Sequence, residues 1–275
     1  NYITIAVRTL RKNKLFTSIN ILGLAIGISA SLVIYLLANY HFTFDKFEKD
    51  GDRIYRVVSN FSFSGEVYYN SGVRSPMGDA VQKEITGLEV VVPFRTWDSD
   101  TKVTIPNADG KQPTIFKKQN EIIFADKRYF DLINYQWIAG SAKTSLLQPY
   151  QTVLTEANAK LYFPALAAAA IIGREIYFND TVRATVTGVV KDIPHHTDFT
   201  FKTFISRATL ESTSLKPNDW DAWNNTNGAS QLFVKLSPGT SIAKVETAIN
   251  KLVEKNDKKD PGDNTTSEIT LQSLS

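Results

Sequence analysis

A mixed α+β fold hung from one N-terminal membrane helix is what three features of this sequence predict. Residues 15–44 carry no formal charge, a strand–helix–strand pattern occurs near each end of the remainder, and the stretch between is rich in strands. The repeated pattern predicts a split two-layer domain with a sheet on one side and helices on the other. At 275 residues, with 43% hydrophobic and 21% charged side chains, the chain can bury a real core. It has no cysteine, which excludes a disulfide framework, thiolate zinc sites, iron–sulfur ligation and cysteine nucleophiles.

The net charge of +3 is unevenly divided. Residues 1–44 hold Arg8, Arg11, Lys12 and Lys14 and no acid, whereas the rest holds 27 basic and 28 acidic side chains. A nucleic-acid binder spreads a basic excess over its folded surface, so that class is excluded. Ile19–Ala38 is almost wholly apolar, and twenty helical residues span about 30 Å, the thickness of a bilayer's hydrocarbon core. Buried core helices and signal-peptide apolar regions are shorter than this. Residues 15–44 therefore read as a transmembrane helix.

Four positive charges stand before the span, and Asp45, Glu48, Asp50 and Asp52 follow it. The positive-inside rule then places residues 1–14 in the cytoplasm and the main domain outside it. Ile3, Ala6, Val7 and Leu10 recur at helical spacing, with Arg8, Arg11 and Lys12 elsewhere on the wheel. That predicts either an interfacial amphipathic helix or an extension of the membrane helix itself. Within the span, Gly23, Gly27 and Ser31 repeat every four residues, with Asn20 one turn earlier. A small-residue face of this kind lets a second helix approach closely.

Arg53–Phe63 alternates and is rich in Val, Tyr and Phe, so it predicts a strand. Ser75-Pro76 predicts an N-cap and first helical position, and Met77, Val81, Ile85 and Leu88 continue one helical face. Glu89–Arg95 reads as the next strand. The order returns near the C-terminus: strand Gln231–Leu236, a turn at Pro238-Gly239 with Thr240 as cap, an amphipathic helix through Ile242, Val245, Ile249, Leu252 and Val253, and strand Glu268–Leu274. Residues 45–97 and 228–275 thus form one subdomain, and residues 98–227 an insertion.

The insertion predicts strands at Glu121–Ala125, Gln151–Thr155, Glu175–Phe178 and Ala184–Val190, and short helices at Lys127–Ile133 and Glu156–Phe163. Asn179-Asp180 is a hairpin-type turn. Residues 165–170 (ALAAAA) are simpler than their surroundings and carry no argument.

Enzyme chemistry finds little purchase. His195-His196 is the one tempting histidine pair, with Asp192 and Asp198 nearby, and it reads as a solvated loop before it reads as a metal site. Asp98 with Asp100, and Asp219 with Asp221, read as surface charge. Trp220 and Trp223 read as packing of the insertion against its neighbour, with an aromatic grip on a ligand as the alternative.

Leu10–Ile28, Phe44-Asp45-Lys46-Phe47, Asp52–Val57, Ser75–Arg95, Ala125-Asp126 through Phe130-Asp131, Gly140, Val153–Glu156 with Ala159-Lys160 and Tyr162-Phe163, Gly173, and Thr187–Pro194 form one ordered set of short motifs. In that order they resemble MacB/FtsX-type ABC transporter permeases of the Bacteroidetes-like branch. Together they span almost the whole chain. The resemblance implies a porter-like subdomain built from residues 45–97 and 228–275, and a sabre-like subdomain from residues 98–227. It also implies three further membrane helices after Ser275, so that the sequence is a piece of a longer permease.

The implied function is mechanotransmission at the bacterial inner membrane. No cofactor is expected in this chain, since no G-x-x-x-x-G-K-[ST] loop is present. ATP and Mg would belong to a separate cytoplasmic ABC ATPase, close to Arg8, Arg11, Lys12 and Lys14. Asn20, Gly23, Gly27 and Ser31 would pack against a second copy or a related permease within membrane lipid. Export or efflux from the periplasm would add a periplasmic adaptor and an outer-membrane duct. Activation of a cell-wall hydrolase and extraction of lipoproteins are the alternative roles.

Overall fold

A computed structural model describes residues 2–42, 50–63, 65–107, 112–194, 197–258 and 265–274. Helix α1 (Tyr2–Lys12) is separate from the long helix α2 (Lys14–Phe42). At the break, the Thr17 hydroxyl donates to Leu10 O at 2.9 Å, satisfying a carbonyl at the end of α1. The N-terminal segment is thus a helix of its own. Residues 14–40 are long and apolar enough to cross a membrane, and none of that stretch is buried. Leu24, Ile26 and Ile34 are each about two-thirds exposed, so α2 is no core helix of a soluble fold. The predicted end of the span at residues 43–44 lies outside the described residues.

Beyond the membrane helix the strands are β1 (Ile54–Phe63), β2 (Glu66–Asn70), β3 (Leu88–Thr96), β4 (Thr101–Ile105), β5 (Thr114–Gln119), β6 (Ile122–Ala125), β7 (Trp137–Ala139), β8 (Gln151–Thr155), β9 (Glu175–Phe178), β10 (Val182–Val190), β11 (Thr203–Ser206), β12 (Ser230–Leu236) and β13 (Thr266–Ser273). The helices are α3 (Met77–Glu84), α4 (Lys127–Leu132), α5 (Glu156–Tyr162), α6 (Ala168–Ile171), α7 (Arg207–Glu211) and α8 (Ile242–Asn256). All the described strands join one sheet in the order β13-β1-β12-β3-β6-β11-β8-β10-β9-β4-β5, with β2 on β1 and β7 on β10. The class is the mixed α+β fold expected.

The two ends of the outer chain lie side by side. β1 pairs antiparallel with β13 from Tyr55↔Ser273 to Ser62↔Thr266. β12 inserts next to β1 and pairs along its length with β3. Arg95↔Phe124 and Thr96↔Ile123, followed by the Trp97 amide donating to Ile122 O at 2.9 Å, carry the sheet across from β3 to β6, so that junction is short.

Strand alternation assigns the two faces of this end of the sheet. Val57, Val91, Leu232 and Val234 face one way and pack with Met77 and Val81 of α3 and with Val245, Ile249 and Leu252 of α8. Val92, Phe94 and Phe233 face the other way, into an aromatic core with Tyr129, Phe130, Phe199 and Phe204. A third core fills the middle segment around Phe124, Leu154, Ile176, Phe178 and Val186.

Some element boundaries differ from expectation. Pro76, not Ser75, is the N-cap of α3, and the Ser75 hydroxyl lies 3.0 Å from that of Ser230 instead. Ser241, not Thr240, precedes α8 as its N-cap. Asn179 and Asp180 both take left-handed backbone, φ 48° and 57°, as a tight hairpin turn between β9 and β10 requires.

Candidate functional site

On α2, Asn20, Gly23, Gly27 and Ser31 line one shallow groove together with Ile19, Leu24, Ile28 and Leu32. A Cβ built on Gly23 or Gly27 meets no atom within 4 Å, so the groove floor is open to an approaching surface. Arg8, Arg11 and Lys12 lie on α1, and Lys14 begins α2. The positive charges therefore sit at the end of α2 opposite the sheet domain.

Where the chain enters the sheet, a closed ring of four charges forms that the sequence did not announce. Asp50, with left-handed φ 63°, accepts from Arg53 Nη2 at 2.9 Å and from Lys235 Nζ at 3.1 Å. Glu89, at the start of β3, accepts from Arg53 Nη1 at 2.8 Å and from Lys235 Nζ at 3.1 Å. Arg53 also donates to Leu236 O at 2.7 Å. Each cation bonds both acids, so the ring is neutral, and it ties the entry segment to β3 and β12. The hydrogen bond from Lys235 is the main cause holding the Asp50 carboxyl below its ordinary value, and Arg53 adds to it. Glu89 is held low first by Arg53, then by Lys235. Burial works against the charge of Lys235, but the bonds to Asp50 and Glu89 outweigh it and raise that ammonium's pKa. Asp50 and Arg53 are three apart in sequence; their partners become visible only once β3 and β12 are in register.

A second ionic cluster joins α3 to the middle segment. Arg207 of α7 grips Asp79 of α3 with both terminal nitrogens, at 3.2 and 2.8 Å, and Arg128 approaches the same carboxylate at 3.4 Å. Arg128 is itself held by Asp126, the N-cap of α4. Above Arg207, the Trp220 ring centroid lies 5.2 Å from the guanidinium carbon.

The remaining sequence candidates disperse. Trp220 belongs to the core of the middle segment, whereas Trp223 packs on the core beneath α3 and α8, so they are not a pair. Asp100 faces Lys118 at 3.5 Å and Asp221 faces Lys216 at 3.0 Å, both on the surface. Asp192 accepts from the Ala157 amide at 2.8 Å, at the start of α5. His195 and His196 lie outside the described residues. Among the described residues, no three His, Asp or Glu side chains come together as a metal site would need.

Residues 17–252 match the family model of the MacB-like periplasmic core domain. Among solved structures, the fold is similar to a domain of a protein described as a permease from Porphyromonas gingivalis, with TM-score 0.65 and 16% identity over 82% of this chain and 91% of that one. It is similar to the periplasmic region of MacB from Actinobacillus actinomycetemcomitans, with TM-score 0.52 and 15% identity over 79% and 88%. It is also similar to the extracellular domain of the noncanonic ABC-type transporter YknZ from Gram-positive bacteria, with TM-score 0.51 and 11% identity over 79% and 99%. Among curated protein sequences, none matches this chain.

Proposed function

Because the chain belongs to the family of MacB-like periplasmic core domains, we propose that it is part of an ABC transporter permease that carries ATP-driven motion from the cytoplasm to its outer domain. The single observation behind this reading is how that domain is attached. The chain leaving α2 reaches the sheet through Asp50 and Arg53, which the charge ring binds to β3 and β12, and then becomes β1, hydrogen-bonded on both sides. Motion delivered to Asp50 and Arg53 would thus move the sheet as a body, because the ring and both ladders bind that entry point to it. Physically this is a shift between two domain arrangements, biased by nucleotide bound far away.

In this reading residues 1–14 face the cytoplasm, α2 crosses the inner membrane, and the sheet domain lies in the periplasm. Residues 45–97 and 228–275 are the porter-like subdomain and residues 98–227 the sabre-like one. The groove at Asn20, Gly23, Gly27 and Ser31 seats a helix of a second copy or of a related permease. A separate ATPase with its ATP and Mg docks near Arg8, Arg11, Lys12 and Lys14. The work done is export or efflux from the periplasm, by way of an adaptor and an outer-membrane duct.

One observation favours a second role. The β1–β2 hairpin exposes Phe63, Val67, Tyr68 and Tyr69, the last 82% exposed, and lipoprotein extraction calls for an apolar surface of that kind on the outer domain.

Co-purification of the full-length, tagged protein from gently solubilised membranes tests both. A stoichiometric ATPase is expected, with an adaptor or duct under the export role and a lipoprotein under the extraction role. Recovery without any ATPase would overturn the transporter reading.

A further inference from the structure

A cavity of about 160 Å³ lies on the face of the sheet opposite α3 and α8. Its floor is set by strand register. Arg56 in β1 has Phe233 of β12 as its neighbour on one side and Gln272 of β13 on the other. Phe94 of β3 stands opposite Gln231. Asp198, Phe199, Phe201 and Leu274 complete its lining. Phe94, Phe199 and Phe233 are almost fully buried.

The charge in this aromatic chamber is unusual. The Arg56 guanidinium carbon lies 5.9 Å from the centroid of the Phe233 ring. Nε donates to Ser71 O at 3.2 Å and to Gln231 Oε1 at 3.0 Å, and Nη2 donates to the same Gln231 oxygen at 2.5 Å. Each of these acceptors is neutral. Burial works against the Arg56 charge, and among the described residues the acid that favours it is Asp198, exposed at the rim. A half-buried cation held by neutral oxygens gains from an anion that enters with it and excludes water. The volume suits a single ring or a short branched chain, since a cavity of roughly 150 Å³ accommodates benzene.

We propose that this cavity binds a small apolar carboxylate, its anion paired with Arg56 and its phenyl or branched-alkyl body set among Phe94, Phe199, Phe201 and Phe233. The same chemistry is presented by a free small acid and by the carboxyl terminus of a peptide ending in an apolar residue. The site is independent of the transport reading, since it rests on the sheet face alone.

The test is a ligand-observed NMR titration of the full-length protein in lipid nanodiscs, with empty nanodiscs as background. Benzoate is the probe and benzamide its neutral counterpart. Benzoate is expected to bind at least about tenfold more tightly than benzamide, the discrimination that one charge-assisted pair supplies. Arg56→Gln should abolish that preference, and Asp198→Asn should strengthen benzoate binding several-fold by removing the acid at the rim. A thermal melt verifies that Arg56→Gln is folded; if it is not, Asp198→Asn and a plugging variant, Gln272→Trp, decide the question. Benzamide binding as well as benzoate, or benzoate binding unchanged in the folded Arg56→Gln or the plugged variant, would overturn the site. Ala-Ala-Phe with a free terminus binding tenfold better than benzoate assigns a peptide end; benzoate binding with no response to the peptide assigns a free acid.

Discussion

Nη2 of Arg74 lies 2.6 Å from Oδ2 of Asp257, a residue 183 positions further along the chain, and the two side chains are only 3% and 11% exposed. The same guanidinium donates to Ser267 Oγ at 2.9 Å and to the Trp223 carbonyl. One side chain just before α3 therefore fastens the end of α8, the start of β13 and the Trp223 loop. Removing one partner of a buried pair leaves the other charged and unsolvated, which typically costs about 3–5 kcal/mol. Arg74→Met should lower stability by that order in urea denaturation. The double variant with Asp257→Leu should recover a substantial part, because no orphan charge remains.

Asp79 gives an acid-sensitive contact. Burial favours its neutral form, but Arg207 and then Arg128 outweigh that and hold the carboxyl below its ordinary value of 3.8. A depressed folded-state pKa adds stability that is complete above the unfolded value and is lost as pH falls through the folded one. As pH falls below about 4, denaturation midpoints should therefore fall less steeply in Asp79→Asn than in the unaltered chain. Equal slopes would mean that the contact with Arg207 contributes nothing.

Two glycines separate backbone strain from crowding. Gly140 and Gly173 both have left-handed φ, 75° and 85°. A Cβ on Gly140 would lie 2.3 Å from Thr187 O, whereas on Gly173 it would meet nothing within 4 Å. Gly173→Ala should cost about 1 kcal/mol from conformation alone. Gly140→Ala should cost a further 1–3 kcal/mol or so, because backbone cannot yield as a side chain can. Matching losses in thermal melts would contradict the close approach.

On the membrane helix, Gly27→Ile should fill the groove that Asn20, Gly23 and Ser31 share, while Ala25→Ile alters residues outside it. Interhelical packing through small residues contributes about 1–2 kcal/mol, so recovery of the helix partner should fall roughly five- to thirtyfold for Gly27→Ile alone. Loss with both variants would assign the effect to general disruption of the helix.

The absence of cysteine makes topology directly readable. Tyr69→Cys, at a position 82% exposed on β2, should react with a membrane-impermeant maleimide in intact spheroplasts. Lys12→Cys should react only after permeabilisation. The reverse pattern would invert the orientation.

The parts legible in the sequence were those fixed by local chemistry. The apolar run of α2 announces its own environment, and β8 and β9, short β-branched or aromatic runs with clear neighbours, occur where alternation and turn residues place them. β5 was invisible because it is the last strand of the sheet: Lys117 and Lys118 interrupt its alternation, as charges on an edge strand do. β11 has four residues, all buried, and so shows no period at all. The small-residue face of α2 was readable from spacing. The charge ring and the Arg56 cavity were not, because Lys235 and Phe233 reach Asp50 and Arg56 only through the β1–β12 register, set by closure across almost the whole outer chain.

The antiparallel pairing of β1 with β13 has a mechanical consequence. Ile54, where the chain enters the sheet, and Leu274, where it leaves, are joined by a hydrogen bond of 3.1 Å. A load pulling these two points apart would act on the ladder one rung at a time, as a zipper opens from its slider, and little force would be needed. A load displacing both points together puts no strain across these rungs and merely carries the sheet along. The domain is therefore robust as a lever arm and fragile as a spring.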